Sequence, residues 1–171
     1  MLIFTDGSFS TKPKMSGLGA VILFNDQEHT IGCYSKDCVD NNVTEIAAIA
    51  MALQYVDSKI SKCHDKTITI MSDSEYALRK ISQSCEGKDE FEQSCLDFIN
   101  EFMMKHNSKK FNFMHIKGHV HNGDKLSHYN NMADRIAGEY RLIGLELDRE
   151  YQNKKRKLMK NVILSKKHRK R

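Results

Sequence analysis

Residues 1–35 read MLIFTDGSFSTKPKMSGLGAVILFNDQEHTIGCYS, and the fold follows from how this opening is divided. Met1-Leu2-Ile3-Phe4 is a short apolar run that passes at once into polar Thr5-Asp6-Gly7-Ser8. Leu18-Gly19-Ala20-Val21-Ile22-Leu23-Phe24 is a second run, closed by Asn25-Asp26. Apolar runs of this length between turn residues predict strands over 1–6 and 18–24, with a third over 28–35. Beyond them the period changes. From Val43 to Val56 the residues Ile46, Ala47, Ile49, Ala50, Leu53 and Tyr55 recur at helical spacing, and Asn41-Asn42 offer a cap before them. Residues 66–71 alternate as a strand through Ile68 and Ile70, 74–81 read as a short helix, and 91–104 place Leu96, Ile99, Phe102 and Met103 on one helical face. Residues 111–116 return to strand, a polar His-rich loop covers 117–129, and a helix over about 130–142 closes before Gly144. Three strands, helix, strand, helix, helix, strand, helix is the order of an α/β domain. It predicts a five-stranded mixed sheet, an antiparallel meander opening into parallel crossovers, with helices on its faces.

With 171 residues, 40% of them hydrophobic, the chain is long enough for one domain with a real core plus a tail. No segment reads as a signal peptide, and no apolar stretch approaches the length of a membrane-crossing helix. A soluble, intracellular protein is expected. Cys33, Cys38, Cys63, Cys85 and Cys95 are odd in number and contain no C-x-x-C pair, which argues against a disulfide framework and a structural zinc site. Charge divides unevenly. Residues 1–152 hold all 22 acidic side chains and 17 of the 27 Lys and Arg, a net −5, whereas 153–171 hold ten basic residues and no acid. A block of that kind is an interaction tail for nucleic acid or another polyanion, or a merely solubilising one.

Four carboxylates stand out only together. Asp6-Gly7 after a strand is a turn signal in its own right. Glu45 lies three residues after Asn42, the spacing of a capping box. Asp73 ends a strand just before a helix, where an N-cap belongs, and Asp134 near the start of the last helix suits the dipole field there. Yet two lie at strand ends and two in the first turns of helices flanking one sheet, and the crevice outside the carboxyl ends of parallel strands is where α/β sheets assemble function. Carboxylates converging there repel one another unless hard divalent cations intervene. Two such ions, about 3.5–4 Å apart, serve phosphodiester displacement.

Thr5-Asp6-Gly7-Ser8, Gly19-Ala20-Val21-Ile22, Asn41-Asn42 with Glu45 opening an Ala-rich helix, Ser72-Asp73-Ser74, Lys117-Gly118-His119 and Asn130 with Ala133-Asp134 together resemble type 1 ribonuclease H, in order over residues 1–143. The resemblance implies the ribonuclease H-like fold for 1–143, which leaves 144–171 as a basic C-terminal extension, helical or disordered. It implies an endonuclease that cuts the RNA strand of an RNA–DNA hybrid, leaving 5′-phosphate and 3′-hydroxyl ends. Asp6, Glu45, Asp73 and Asp134 would bind two magnesium ions, with manganese able to substitute. Asp6 would touch both ions, Asp134 would help hold the one that activates water, and Glu45 and Asp73 the one that stabilises the leaving oxygen. His119 matches a mobile loop histidine that assists proton traffic or product release. Asn41 and Asn42 match positions that read the minor groove, where the 2′-hydroxyl marks RNA. Ser74 and Asn130 would make supporting contacts to substrate. His115, His121 and His128 are left without a metal role, because magnesium sites do not favour imidazole.

Three features depart from the family. Asp40 stands where a Thr often grips the DNA phosphate, and a carboxylate there would repel it. The segment from Asp73 to Lys117 has no Trp and begins acidic, with Glu86, Asp89, Glu90 and Glu92, so the basic substrate-gripping protrusion of some members is missing. The loop from His119 to Asp134 is long. With a body at −5, the hybrid is expected to be tethered by the tail, through Lys154, Lys155, Arg156, Lys157 and Lys160. Lys154-Lys155-Arg156-Lys157 also resembles a nuclear-import signal, a weak pattern that leaves the nucleus open beside the cytoplasm. A monomer is expected, and the Met1 start favours a stand-alone enzyme. The competing readings are a junction resolvase-like nuclease or the nuclease module of a reverse transcriptase, and a catalytically silent nucleic-acid-binding module of the same fold. Asn41-Asn42 and the Lys-Gly-His loop favour hybrid cleavage, and a silent module has no reason to keep four carboxylates.

Overall fold

A computed structural model describes residues 1–59, 65–118 and 124–168, with side chains as far as Lys157. Strands β1 (Leu2–Thr11), β2 (Lys14–Phe24) and β3 (Gln27–Ser35) come first, followed by α1 (Asn41–Asp57), β4 (Thr67–Ser72), α2 (Glu75–Ser82), α3 (Glu90–Lys105), β5 (Lys110–His115) and α4 (Lys125–His168). The sheet order is β3-β2-β1-β4-β5. β1–β2 and β2–β3 pair antiparallel, β1–β4 and β4–β5 parallel, as the element order predicts. Asn25 and Asp26, both at positive φ (51° and 57°), turn β2 into β3, the left-handed pair that a two-residue hairpin requires.

Alternation along β1 sends successive side chains to opposite faces. Ile3 joins Ile22, Ile68 and Ile70 against Ile46, Ile49 and Leu53 of α1 and Leu96, Ile99 and Phe102 of α3. Phe4, with Val21 and Met71, packs instead on Ala133 and Ile136 of α4. One face therefore carries three helices and the other a single long one. That helix can lie close on its face because β2 lacks side chains beneath it at Gly17 and Gly19. A Cβ added to Gly19 would overlap the Ala133 carbonyl and lie 2.6 Å from Ala137 N, and one on Gly17 would overlap the backbone of Ala137 and Arg141.

α4 differs most from expectation. It begins at Lys125 and does not stop before Gly144 but runs 44 residues to His168, about 66 Å at 1.5 Å per residue. Gly144 is no C-cap. It faces the sheet, where a Cβ would lie 2.9 Å from Tyr34 Cβ and 2.5 Å from Met15 Sδ, so the glycine serves close packing. Leu145-Glu146-Leu147-Asp148-Arg149-Glu150 are mostly good helix formers, and Glu150 precedes Lys154 by four residues, so propagation costs little after it. Lys36, just past β3, pairs with Asp148 and ties the helix to the end of that strand.

Because the helix backbone rests on Gly19, Gly19→Val is expected to lower the free energy of unfolding by roughly 3 kcal/mol or more, or to prevent folding, as read by urea denaturation.

Candidate active site

Asp6 sits in the middle of β1 on the α4 face, directly across from Gly19. β1 and β4 stay in parallel register to Phe4↔Met71, so Asp73, two residues past Met71, stands level with Asp6 just where β4 has ended. The bare backbone of Gly19 lets Ala133 come down on β2, and Asp134 is the next residue of that helix. On the opposite face Gly7 does the same for α1. A Cβ there would lie 2.8 Å from the Thr44 carbonyl carbon and 2.9 Å from Glu45 N, so Gly7 is no turn residue but the gap through which Glu45 approaches.

Local capping duties fall to neighbours. Val43 N donates to Asp40 Oδ1 (3.0 Å), so Asp40 rather than Asn41 or Asn42 caps α1 and Glu45 takes no part in a capping box. Ser74 rather than Asp73 caps α2, its hydroxyl accepting from Ala77 N (3.2 Å). Asp134 lies nine residues after the first residue of α4 and so well beyond the first-turn dipole field. Freed of these duties, the four side chains turn inward.

Oxygens of Asp6, Glu45 and Asp73 lie within 4.8 Å of one another. With Asp134, Asn41, Ser74, Ser8 and Phe9 they line a strongly polar cleft of about 410 Å³. Asp6 is 6% and Glu45 4% exposed. Burial first, then the charges of Asp73 and Asp134 and a hydrogen bond to Asp134, push the Asp6 carboxyl up to about 8. Burial, then the Asp6 and Asp73 charges, raise Glu45 well above the usual carboxylate range, while the nearby Gly7 N–H and the Asn41 amide work the other way. Asn41 Nδ2 donates to Glu45 Oε1 at 3.4 Å, but Glu45 Oε2 is buried without a hydrogen-bond partner among the described residues. An orphaned carboxylate oxygen, a donor set that is all oxygen among the described residues, and mutual repulsion fit a hard divalent cation.

The other predicted residues divide. Asn41 and Ser74 line the cleft, whereas Asn42 is exposed on the first turn of α1 and is not among its lining residues. Asn130, one turn before Asp134, is 1% exposed and its Oδ1 has no hydrogen-bond partner among the described residues. His119 lies outside the described residues, as do His121 and Cys63. Lys154, Lys155, Arg156 and Lys157 are exposed on distal α4, far along the helix from the cleft, and Lys160 belongs to the same helix.

Supporting residues escaped the sequence reading. His115 Nε2 donates to the Asp73 carbonyl (3.1 Å), fastening the end of β5 to the Asp73 segment, and a Cβ on Gly118 would overlap Asp73 Oδ2. Asp40 is paired with Lys88, which lowers its pKa further and offsets its charge. The acidic stretch before α3 is also engaged. Asp89 caps α3 through Glu92 N (2.8 Å), and fully buried Glu92 accepts from Tyr76 Oη (2.8 Å) and Lys88 N (2.5 Å). A single acidic letter gives no sign of such pairings across distant segments.

A family model described as RNase H matches residues 1–141. Proteins named ribonuclease H from Acetivibrio thermocellus and Caldicellulosiruptor saccharolyticus are 26% identical over 144 residues (79% of this chain, 90% of the relative) and 27% identical over 149 residues (80% and 92%). Among solved structures, LC11-RNase H1, isolated from compost, is similar at a TM-score of 0.67 with 24% identity, covering 84% of this chain and 96% of that one. The same protein solved with an RNA/DNA hybrid matches at 0.67 with 23% identity, covering 84% and 98%. RNase H1 from Halobacterium salinarum matches at 0.61 with 17% identity, covering 81% and 95%. These likenesses bear on the fold, and the span matched by the family model, residues 1–141, encloses all four carboxylates. With a family match over nearly all of the body and the carboxylates gathered in one cleft, the chain belongs to the RNase H family.

Proposed function

We propose that this ribonuclease H hydrolyses the RNA strand of RNA–DNA hybrids at the carboxylate cleft with two divalent ions, magnesium or in its place manganese, leaving 5′-phosphate and 3′-hydroxyl ends. The observation that carries the reading is the convergence of Asp6, Glu45 and Asp73 within 4.8 Å, a cluster that is costly in an empty cleft and satisfied by cations. Asp6, central among them, would hold both ions, Asp134 one of them, and Glu45 with Asp73 the other. When bound, such ions lower the pKa of a water and stabilise the attacking and leaving oxygens of an in-line displacement. Asn41, which bonds Glu45 and lines the cleft, would meet the minor groove, where the 2′-hydroxyl distinguishes RNA. Asn42, exposed beside it, and Ser74 are assigned supporting contacts. Buried Asn130 would steady α4 near Asp134 and touch substrate only indirectly. The contact of Gly118 with Asp73 supports a proton-transfer or product-release role for His119, the next residue. The sequence match to curated ribonucleases H, the solved hybrid complex of LC11-RNase H1 and the complete carboxylate set favour hybrid cleavage over a silent binding module.

Two measurements test this. In magnesium, Asp6→Asn is expected to lower kcat on an end-labelled hybrid by about 10³-fold, roughly 4 kcal/mol of transition-state stabilisation, and EDTA to abolish wild-type cutting. Tight hybrid binding without cleavage by the wild type would overturn the reading. The second uses stability. Asp6 ionises near 8 in the metal-free fold, against about 3.9 in an unfolded chain, so the folded state binds the extra proton between those values and metal-free stability falls as pH rises from 4 to 8. Asp6→Asn removes that loss. In EDTA at pH 8 its Tm is expected roughly 5 °C above wild type, the gap closing as pH falls toward 4, and magnesium is expected to raise the Tm of wild type more than that of the variant.

A further inference from the structure

Distal α4 has no role in the cleft, yet its direction is set by the cleft's own packing. The helix crosses β2 from Gly19, under Ala133, to Gly17, under Ala137 and Arg141, and on to Met15, beside Gly144. It therefore runs with β1, antiparallel to β2, toward the carboxyl end of β1 at Thr11. Asp6 and Asp73 face that same end of the parallel strands. Past the Lys36–Asp148 pair the helix continues beyond the sheet as an arm, with Tyr151 62% exposed and Lys154, Lys155, Arg156 and Lys157 exposed behind it.

We propose that distal α4 is a rigid basic arm that grips the phosphates of the bound duplex at a fixed distance from the cut, so that the protein measures the length of duplex on one side of the scissile bond. The proposal rests on the hybrid-cleavage reading and adds a substrate-length requirement to it. Lys154 lies 20 residues beyond Asp134 on one continuous helix, about 30 Å along the axis. At 3.4 Å per base pair that spans about nine base pairs. The helix continues to His168, 34 residues beyond Asp134 and about 51 Å away, or about fifteen pairs. Charge names the occupant. The body is −5 and can attract a polyanion only weakly, whereas 153–171 carry ten cations and no carboxylate, so phosphate binding by counterion release is concentrated on the arm. A flexible tail of the same charge would help every substrate to a similar degree. A rigid helix helps only a duplex long enough to reach it.

The test uses the full chain and duplexes in which a short ribonucleotide block fixes the cut, each flank being lengthened separately from about 4 to 20 base pairs. For wild type, KM is expected to fall about tenfold when one flank, and not the other, passes roughly nine to fifteen pairs, with a steeper salt dependence on the long substrates. K154A/K155A/R156A/K157A should lose the step, K154R/K155R/K157R should keep it, and glycines at Gln152 and Asn153 should smear it. The same step is expected in fluorescence-anisotropy binding of these duplexes in EDTA, which reads the arm even if cleavage itself fails. A KM and an affinity that vary smoothly with either flank, or a step that survives in the alanine variant, would overturn the proposal.

Discussion

Ala133 and Ala137 of α4 lie with their backbone directly on Gly19 and Gly17 of β2, where a single added carbon would not fit. That contact governs more than packing. It lowers the helix by about the thickness of a side chain, and at this depth Asp134 comes within hydrogen-bonding reach of Asp6, the residue across the ladder from Gly19. Gly7 makes the equivalent concession to α1 on the other face and brings Glu45 to the same point. Two helices on opposite faces of one sheet thus deliver carboxylates to a single spot at the end of β4. The missing side chains do as much for the site as the acidic ones.

The assembled cluster is electrostatically unfavourable in isolation. Asp6 and Glu45 are both nearly buried, both face other acids, and Glu45 leaves one oxygen with no hydrogen bond among the described residues. A protein selected for stability alone would not keep this arrangement, and stability of the empty site is given up for the ability to bind cations. The surroundings limit the damage. Asp40 and Ser74 take over the helix caps, so neither Glu45 nor Asp73 is drawn away to the N–H groups at the starts of α1 and α2, and His115 secures the Asp73 carbonyl. Nearby, Lys88 pairs with Asp40 and donates its backbone N–H to Glu92, which draws an acidic-looking stretch into an internal network in which Asp89 Oδ2 alone is left without a hydrogen-bond partner among the described residues.

The strands, the helices and their order were legible because burial imposes a period of two on strands and 3.6 on helices, and both periods survive in the order of Ile3, Ile22, Ile46, Ile49, Ile68 and Ile99. Two local rules misled for one reason. Asn42 with Glu45, and Asp73 before α2, satisfy capping patterns that depend only on spacing, but which of two adjacent polar residues caps is settled by where the tertiary fold needs the other. Gly144 misled in the same way. A glycine after a helical run signals a stop when the chain is solvated, yet here it permits contact with Met15 and Tyr34 and the helix continues.

By itself the sequence determined the sheet's element order, the four acids, the family motifs from Thr5 to Asp134 and the separation of an acidic body from a basic end, all of them properties of residue type and spacing along the chain. Only the tertiary structure decided that the acids share one cleft, that Asp40 is neutralised by Lys88 forty-eight residues away, and that the basic end continues the helix bearing Asp134 in a set direction. The physical reason is range. Propensity and periodicity are read from neighbours a few residues apart, whereas charge coupling, desolvation and backbone contact depend on distances in space that arise only when β1, β4, α1 and α4 have packed together.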